Sequence, residues 1–250
     1  MAHKKMRTMV KLSGVEKTFN SLKVIKNLNF WVLEGEVVSL IGLSGCGKST
    51  TLRIVANLEK TDKGTINRGF KRLAFIFQEP RLLPWRTALE NIVFVLKDRI
   101  SNKIERQQIA LHYLKLMKLD QFKNYYPDQL SGGMKQRISV ARALAINPDI
   151  ILMDEPFSDL DFPLRLLLID SLQEILKKES KTAIYVTHDI RDSLLLSDRI
   201  YILTTKPMHV KEELYISTEM KKMSNPKFLE LEEHIINLLK EDSLREGENK

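Results

Sequence analysis

The sequence predicts an α/β protein with a mostly parallel sheet and helices on both faces. Short apolar runs alternate with helical patterns along the chain, as in strand–helix–strand units. Ile150–Met153 is apolar throughout, which is typical of a central strand buried on both faces. The glycine-rich stretch Gly42–Thr50 follows the apolar run Val37–Ile41 and precedes a segment of helical composition, Thr51–Leu58. A strand, a glycine loop and a helix in this order fit the same fold class.

The first third of the chain predicts strands separated by turns. Met9–Phe19 alternates loosely between apolar and polar residues, and Gly35 marks the turn before the strand Val37–Ile41. Val24–Ile25 and Leu28–Val32 are predicted as two further strand pieces. Short extended stretches follow, predicted at Thr65–Ile66 and Leu73–Phe77.

The sequence pattern changes from extended to helical at Thr87. Apolar residues recur at helical spacing over Leu89–Leu96, and Ile104–Met117 is polar on one side, so this region predicts an all-helical insert. Later helices are indicated by stretches rich in good helix formers and by proline near a helix end. The predicted helices are Met134–Ile146, Pro163–Lys178, Ile190–Leu196 and Pro226–Leu239; the predicted strands are Ile150–Met153, Thr182–Thr187 and Arg199–Leu203; Glu241–Lys250 is predicted to be a frayed, charged tail.

Composition limits the function classes. The 250 residues are 43% hydrophobic and 29% charged, which fits a soluble protein with a real core. No apolar run approaches the roughly 20 residues of a membrane span, and we expect no secretory signal. The single cysteine excludes an internal disulfide and suits a reducing compartment. The net charge is +8, but the basic residues are scattered along the chain and have acidic residues near them. We therefore expect no nucleic-acid partner.

Gly42–Thr50 is the strongest functional motif, because its residue types suit a nucleoside triphosphate. Gly45 and Gly47 let backbone N–H groups point inward, and the following helix adds its positive N-terminal end. Lys48 is placed to neutralise the β and γ phosphates, and the Ser49 hydroxyl to bind Mg²⁺. The predicted nucleotide-binding residues of this loop are Gly42, Ser44, Gly45, Cys46, Gly47, Lys48, Ser49 and Thr50. Cys46 is interpreted as a small residue that fits the loop, with a modifiable thiol as the alternative.

Two later stretches narrow the kind of triphosphate site, since kinases, GTPases, helicases and transport ATPases all have such loops. Leu130-Ser131-Gly132-Gly133 opens a helix, where Ser131 is placed as N-cap and the glycines expose N–H groups to an anion. Asp154 and Glu155 end the apolar strand Ile150–Met153. Because neighbouring strand residues point opposite ways, these two carboxylates divide their roles.

The set resembles the ATP-binding cassette (ABC) family over roughly residues 9–205. The resemblance implies a P-loop NTPase of ABC type with a RecA-like core sheet, an N-terminal antiparallel β subdomain and an inserted α-helical subdomain. It places an ATPase domain at residues 1–215, with the insert at about 86–147, and a C-terminal helical extension at 216–250. It also implies ATP and Mg²⁺ as ligands, and a homodimer that sandwiches two ATP molecules between Gly42–Thr50 of one copy and Ser131–Gly133 of the other.

The resemblance further assigns roles to single residues. Glu155 matches the general base that orients the attacking water, and Asp154 the carboxylate on the Mg²⁺ side. His188, after the strand Thr182–Thr187, matches the switch histidine that hydrogen-bonds the γ-phosphate. Gln78 matches the glutamine that reaches Mg²⁺ and the attacking water. Phe19 precedes Lys48 at the spacing of an adenine-stacking aromatic, although a strand-end Phe is also common in cores. The predicted catalytic residues are Glu155, His188, Gln78 and Lys48, and the predicted metal ligands are Ser49, Gln78 and Asp154.

Two residues depart from the family pattern. Met134 stands where the signature usually has Gln, and we expect activity to survive because the anion site is mostly backbone and Ser131. Asp159 stands where Ala is more usual before Leu-Asp. Since that loop lies across the family's dimer interface, the hypothesis is that Asp159 weakens ATP-driven closure of the dimer.

The segment Gln78–Asn91 indicates which partner the ATPase drives. It contains Leu-Leu-Pro-Trp, with Trp85 as a potential interface anchor, and is similar to cassettes of nitrate, taurine, alkanesulfonate and thiamine-precursor importers. In transport cassettes this segment contacts the membrane subunit, so we expect a separate transmembrane permease, an extracytoplasmic substrate-binding protein acting indirectly, and a position on the cytoplasmic face of the cell membrane. The alternatives are a rigid surface loop with a core Trp, and a non-transport cassette such as an iron–sulfur cluster assembly subunit.

Overall fold

The computed structural model describes residues 7–158 and 160–248, with side chains up to residue 242. The described residues form two compact units. The first contains the chain up to Lys71 and from Gln173 onward, and the second runs from Arg72 to Leu172. The strands are β1 (Thr8–Phe19), β2 (Leu22–Leu33), β3 (Val37–Ile41), β4 (Lys63–Arg68), β5 (Leu73–Ile76), β6 (Ile150–Asp154), β7 (Thr182–Thr187), β8 (Arg199–Leu203) and β9 (Val210–Tyr215). The α-helices are α1 (Lys48–Val55), α2 (Ala88–Val95), α3 (Lys103–Leu116), α4 (Gly132–Ala145), α5 (Phe162–Lys178), α6 (Ile190–Leu196) and α7 (Pro226–Glu248), and short 3₁₀ turns lie at Asp120–Phe122, Pro127–Gln129 and Thr218–Lys221.

An antiparallel sheet in the order β2-β1-β4 opens the first unit. Asn20 and Ser21 have positive φ angles and make the tight turn between β1 and β2. The sequence predicted two strand pieces where β2 runs unbroken from Leu22 to Leu33. The apparent gap falls at Asn27, whose φ of 50° interrupts the alternation without ending the strand.

The parallel strands of the first unit follow the order β7-β3-β8, with β9 antiparallel on β8. Strands β3, β7 and β8 are buried along their whole length and have the bounds that their apolar runs predicted. Strand β9 was not predicted, because Val-Lys-Glu-Glu-Leu-Tyr mixes apolar and charged residues and none of them is fully buried.

The C-terminal helix is longer than the sequence indicated. Helix α7 continues to Glu248, so the expectation of a frayed tail from Glu241 is wrong for the described part of that segment, and residues 249–250 lie outside it. The extra turns are held from β9. The Lys211 ammonium donates to the Leu238 carbonyl oxygen over 2.7 Å and pairs with Glu241 and Asp242 at 3.1 and 3.0 Å.

In the second unit, β5 and β6 pair in parallel, and the helices α2, α3 and α4 lie between them in the sequence. These three helices pack on one another through buried side chains that include Ile92, Leu114 and Ile138. Thr87 starts α2 with a capping box in which its side chain and that of Glu90 satisfy each other's backbone N–H groups. Among the described residues, no helix is both long and apolar enough to cross a membrane.

Candidate functional site

Two predicted site segments of the first unit lie at the ends of neighbouring parallel strands. In the register of β3 and β7, Ile41 is opposite Thr187. Gly42 and His188 therefore follow directly from paired positions, and the glycine loop and the His188 turn leave the sheet side by side. Carboxyl ends of parallel strands are where α/β proteins bind ligands.

The glycine loop turns the chain from β3 into α1 with two residues of positive φ. Gly45 has a φ of 76° and Gly47 a φ of 130°, which strain any residue that has a side chain. A Cβ atom at Gly45 would meet nothing within 4 Å, so conformation alone requires glycine there. Gly47 is the N-cap of α1 and offers no side-chain acceptor to the first N–H groups of the helix, which leaves this helix start suited to an anion.

The Lys48 ammonium lies inside the loop. Its side chain is buried, and Nζ donates hydrogen bonds to the carbonyl oxygens of Gly42 and Leu43 over 2.7 and 3.0 Å. Two backbone carbonyls therefore hold a full positive charge where the loop folds back on itself. Ser49 and Thr50 follow on the first turn of α1, both half-buried.

Val24 and Met208 pack beneath the glycine loop. A Cβ atom at Gly47 would lie 3.0 Å from Val24 Cγ1 and 3.4 Å from Met208 Sδ. Met208 is joined to β2 by a hydrogen bond from its N–H to the Val24 carbonyl oxygen, 2.8 Å long. The Cys46 Sγ lies 3.8 Å from Met208 Sδ and is buried, which favours its interpretation as a small residue that fits the loop.

Phe19 is at the tip of the β1–β2 hairpin, five residues before Val24. Its ring is 41% exposed, with the Lys17 ammonium 4.8 Å from the ring centroid. The alternative of a core phenylalanine does not apply to this side chain. The exposed ring belongs to the strand pair that contacts the glycine loop through Val24, so adenine stacking stays a prediction that this position favours.

In the second unit, the carboxylates and Gln78 lie at paired strand ends. Ile76 of β5 is opposite Met153 of β6, so Gln78 and the Asp154–Glu155 pair leave the same edge. Asp154 is the last residue of β6 and is buried, whereas Glu155 is half-buried. Glu155 also has a φ of 47°, an angle that residues other than glycine rarely adopt and that is enriched at functional sites.

Helix α4 provides the second helix start that suits an anion. Ser131 caps it, and its Oγ accepts a hydrogen bond from the Met134 N–H over 3.3 Å. Because the backbone of residue 134 makes this bond, methionine replaces glutamine there without disturbing the cap. Gly132 has open space around it, and a Cβ atom at Gly133 would lie 2.6 Å from Leu160 Cδ2. Asp159, next to Leu160, lies outside the described residues.

The backbone on both sides of Gln78 is held by side chains that the sequence analysis did not identify as functional. Gln136 Nε2 donates to the Phe77 carbonyl oxygen over 3.1 Å, and the Arg142 guanidinium donates to the carbonyl oxygens of Pro80 and Arg81, each over 2.9 Å. Both residues are on α4, so the helix that begins at Ser131–Gly133 also fixes the Gln78 segment. One sequence carries no signal for such pairings, because partners 59 to 62 positions apart leave no local pattern.

The segment predicted to contact a membrane subunit has a rigid base and an exposed tip. Asn91 is fully buried. Its side-chain Oδ1 accepts the Leu83 N–H over 2.8 Å, and its Nδ2 donates to the Leu83 carbonyl oxygen over 3.2 Å. It also donates to the carbonyl oxygens of Arg86 and Thr87, each over 3.0 Å. Trp85 is 70% exposed at the tip of this loop, so the alternative of a core tryptophan is wrong.

The residues present fit a polyphosphate and a hard cation. The glycine loop presents a buried ammonium and an uncapped helix start, as a polyphosphate requires. In the first unit the Ser49 hydroxyl offers an oxygen atom, and in the second unit the Asp154 and Gln78 side chains do so; oxygen atoms are the donors that Mg²⁺ prefers.

Comparisons with known proteins agree with this geometry. A family model described as ABC transporter matches residues 25–158, which is more than half of the chain. The chain belongs to the ABC transporter family. The ATP-binding proteins of this family are ATPases.

Several proteins are similar over most of their length. An uncharacterised ABC transporter ATP-binding protein of Methanocaldococcus jannaschii is 39% identical over 253 residues, covering 96% of this chain and 95% of the relative. The aliphatic sulfonates import ATP-binding protein SsuB of Bacillus cereus is 40% identical over 212 residues, covering 79% of this chain and 82% of the relative. A solved dimeric ATP-binding cassette in a post-hydrolysis state, bound to ADP and Pi, superposes with a TM-score of 0.77 at 35% identity, over 84% of this chain and 99% of that one.

Proposed function

We propose that this chain is the ATP-hydrolysing subunit of an ABC importer and works as a homodimer beneath a separate permease. The observation that carries the proposal is the arrangement of charged and glycine residues at paired strand ends in both units. Gly42 and His188 follow paired positions of β3 and β7, Gln78 follows β5, and Asp154 ends β6, the strand paired with β5. The loop binds the triphosphate, and the second set activates water.

The side chains divide the work of hydrolysis. Lys48 pairs with the β and γ phosphates, and the first turn of α1 contributes backbone N–H groups. Glu155 accepts a proton from the attacking water and orients it, and Gln78 assists from the neighbouring strand end. His188 hydrogen-bonds the γ-phosphate. When bound at Ser49 and Asp154, Mg²⁺ neutralises charge on the phosphates.

Two copies are needed because the chain has two helix starts that suit an anion, α1 and α4. We place the Ser131–Gly133 start of one copy on the ATP held by Gly42–Thr50 of the other. The exposure of Ser131 and Gly132 supports this placement, since both backbone and hydroxyl are open to a partner. A solved relative described as a dimeric ATP-binding cassette supports it as well.

The dimer is tested with the Glu155→Gln variant. Slow hydrolysis should trap the ATP-bound dimer, which elutes at twice the monomer mass in size-exclusion chromatography with Mg²⁺ and ATP. The same variant without ATP, and Lys48→Ala with ATP, are the monomeric controls. Unchanged turnover in Glu155→Gln would remove Glu155 as the base, and a trapped variant that stays monomeric would refute the shared site.

The membrane partner is assigned to the Trp85 segment. Its exposed aromatic tip on a base fixed by Asn91 has the form of an interface anchor. We infer that it contacts a permease at the cytoplasmic face of the membrane, with an extracytoplasmic binding protein on the other side. Trp85→Ala should abolish co-purification with solubilised permease while ATPase activity of the free chain is retained. Leu58→Ala, which changes another exposed apolar residue, is the matched control. Equal retention of both variants would refute this contact.

The transported molecule is proposed to be a small organic anion of the alkanesulfonate kind. The support is that relatives about 40% identical are named as aliphatic sulfonate import subunits. The measurement is ATPase activity of the reconstituted transporter with its binding protein and an alkanesulfonate, against nitrate, taurine and a thiamine precursor. Stimulation by another of these compounds alone would change the substrate and leave the importer assignment in place.

A further inference from the structure

Four residues linked by hydrogen bonds, Thr187, Asp189, Asp192 and Tyr185, surround the turn that carries His188 and are called the ring below. The Tyr185 hydroxyl on β7 donates to Asp192 Oδ2 on α6 over 3.1 Å. The Thr187 hydroxyl accepts the Asp189 N–H over 3.0 Å. Asp189 Oδ1 accepts the Asp192 N–H over 3.1 Å, which connects this turn to the Tyr185–Asp192 pair. In the sequence, His188 lies between two of these residues, Thr187 and Asp189.

Tyr185, Thr187 and Asp192 are buried although they are polar, and Asp189 is half-buried. Tyr185 is 1% exposed and Asp192 5% exposed. A buried carboxylate destabilises a fold unless it is hydrogen-bonded, so the Tyr185–Asp192 contact is needed wherever Asp192 stays charged. Burial and the nearby Asp192 carboxylate raise the pKa of Tyr185 well above its ordinary value, which keeps the phenol protonated as a donor.

The His188 side chain itself is exposed, in contrast to the ring beneath it. The backbone of residues 187–189 determines where this side chain starts, and so contributes to its direction. Both backbone neighbours of His188 are members of the ring, through the Thr187 hydroxyl and the Asp189 N–H and carboxylate. A change in the Tyr185–Asp192 pair is transmitted to these neighbours first.

We propose that Tyr185 and Asp192 are positioning residues for His188: their buried hydrogen bond holds the turn that aims the imidazole at the γ-phosphate. The inference rests on the role of His188 under the proposed function. It predicts an effect on hydrolysis and little effect on nucleotide binding, since Gly42–Thr50 and Lys48 bind ATP without the ring. Misplacing a group that acts in the transition state by about 1 Å lowers rates by up to about 100-fold.

The test compares Tyr185→Phe with Tyr201→Phe in the full chain. Each substitution removes one hydroxyl from a fully buried tyrosine, but Tyr201 is on β8 and its hydroxyl lies 3.4 Å from the Trp31 carbonyl oxygen. Tyr185→Phe should lower kcat by roughly 10- to 100-fold with KM for Mg-ATP within about twofold. Tyr201→Phe should leave both within about twofold. Asp192→Asn, which keeps an acceptor oxygen, should retain more activity than Asp192→Leu.

A double-mutant cycle with His188→Ala decides between positioning and general damage. In single-turnover hydrolysis, Tyr185→Phe should cause no further loss once His188 is absent. Additive losses, or equal effects of Tyr185→Phe and Tyr201→Phe, would overturn the inference and leave the proposed function intact. Wild-type hydrolysis in His188→Ala would instead refute the role of His188 itself, and the inference would fall with it.

Discussion

The ammonium of Lys48 donates a 2.7 Å hydrogen bond to the carbonyl oxygen of Gly42, six residues earlier in the same loop. This contact closes the glycine loop around a buried charge. Neutral carbonyl oxygens are weaker partners for an ammonium than phosphate oxygens. The loop is therefore formed around the charge that a triphosphate binds.

Lys48→Ala should abolish ATP binding and leave the fold intact. The substitution removes the only charged side chain of Gly42–Thr50 while the glycines and α1 remain. Isothermal titration with Mg-ATP should show at least a 100-fold loss of affinity, about 3 kcal/mol. Lys63→Ala, which removes a charge from a side chain that is 74% exposed, is the control and should bind normally. Normal affinity in Lys48→Ala would contradict this assignment.

Asn91→Ala should destabilise the protein without lowering the ATPase activity of the free chain. The buried amide satisfies backbone groups of Leu83, Arg86 and Thr87, and its loss strands several of them. The expected cost is about 3 kcal/mol in the free energy of unfolding, measured by urea denaturation. Asn102→Ala is the comparison. Asn102 caps α3 at the surface, so its loss should cost about 1 kcal/mol. Equal costs would mean that the amide does not hold the loop.

The predictable parts of this fold are those that depend on local pattern. Val37–Ile41, Thr182–Thr187 and Arg199–Leu203 are mostly apolar, and each strand has the predicted bounds. Strand β9 and the last turns of α7 could not be predicted in this way. Their stability depends on contacts such as those of Lys211 with Leu238, Glu241 and Asp242, which join residues about 30 positions apart.

The residues of the candidate site also fall into two groups, those that a local pattern predicts and those that depend on distant contacts. Residues that would touch the nucleotide are visible because their chemistry requires fixed spacing, as in Gly45, Gly47 and Lys48. Residues that hold them in place are not visible. Gln136 and Met208 act through contacts to backbone and sulfur atoms that are distant in the sequence, and many other residue types could stand at those positions without changing a motif.

Arg199→Met should be strongly destabilising. Arg199 is 1% exposed and its guanidinium pairs with Glu36 at 2.7 Å and Glu213 at 2.9 Å. Burial alone would lower the pKa of Arg199, but the hydrogen bonds that its guanidinium donates to Glu213 and Glu36 outweigh that effect and raise the pKa, so the side chain stays charged. Removing it leaves two carboxylates facing each other without a cation.

The expected cost of Arg199→Met is about 3–5 kcal/mol in the free energy of unfolding, measured by guanidinium denaturation. Arg191→Met is the matched control. Arg191 pairs with Glu232 at 2.6 Å but is half exposed, and such surface pairs contribute at most about 1 kcal/mol. A similar small cost for both variants would show that the buried pair does not differ from a surface pair.

Cys46 should react slowly with alkylating reagents in the folded protein. Burial raises the pKa of the Cys46 thiol, and the nearby Lys48 charge only partly opposes this effect. A thiol with a raised pKa stays protonated at pH 8, where an ordinary thiol with a pKa of about 8.5 is partly ionised. Stability from this residue is therefore present below the ordinary pKa and is lost as the pH rises through the folded value.

The rate of iodoacetamide labelling, followed by intact mass, gives the measurement. Cys46 is the only cysteine, so each adduct reports this site. Labelling should be slow at pH 7.5, should keep rising above pH 9 in the folded protein, and should reach ordinary rates in denaturant. Met208→Ala removes the side chain packed on the thiol and should speed labelling without denaturant, because it opens the space beneath the loop. If the folded and unfolded chains label equally fast at pH 7.5, Cys46 is not shielded as this packing requires.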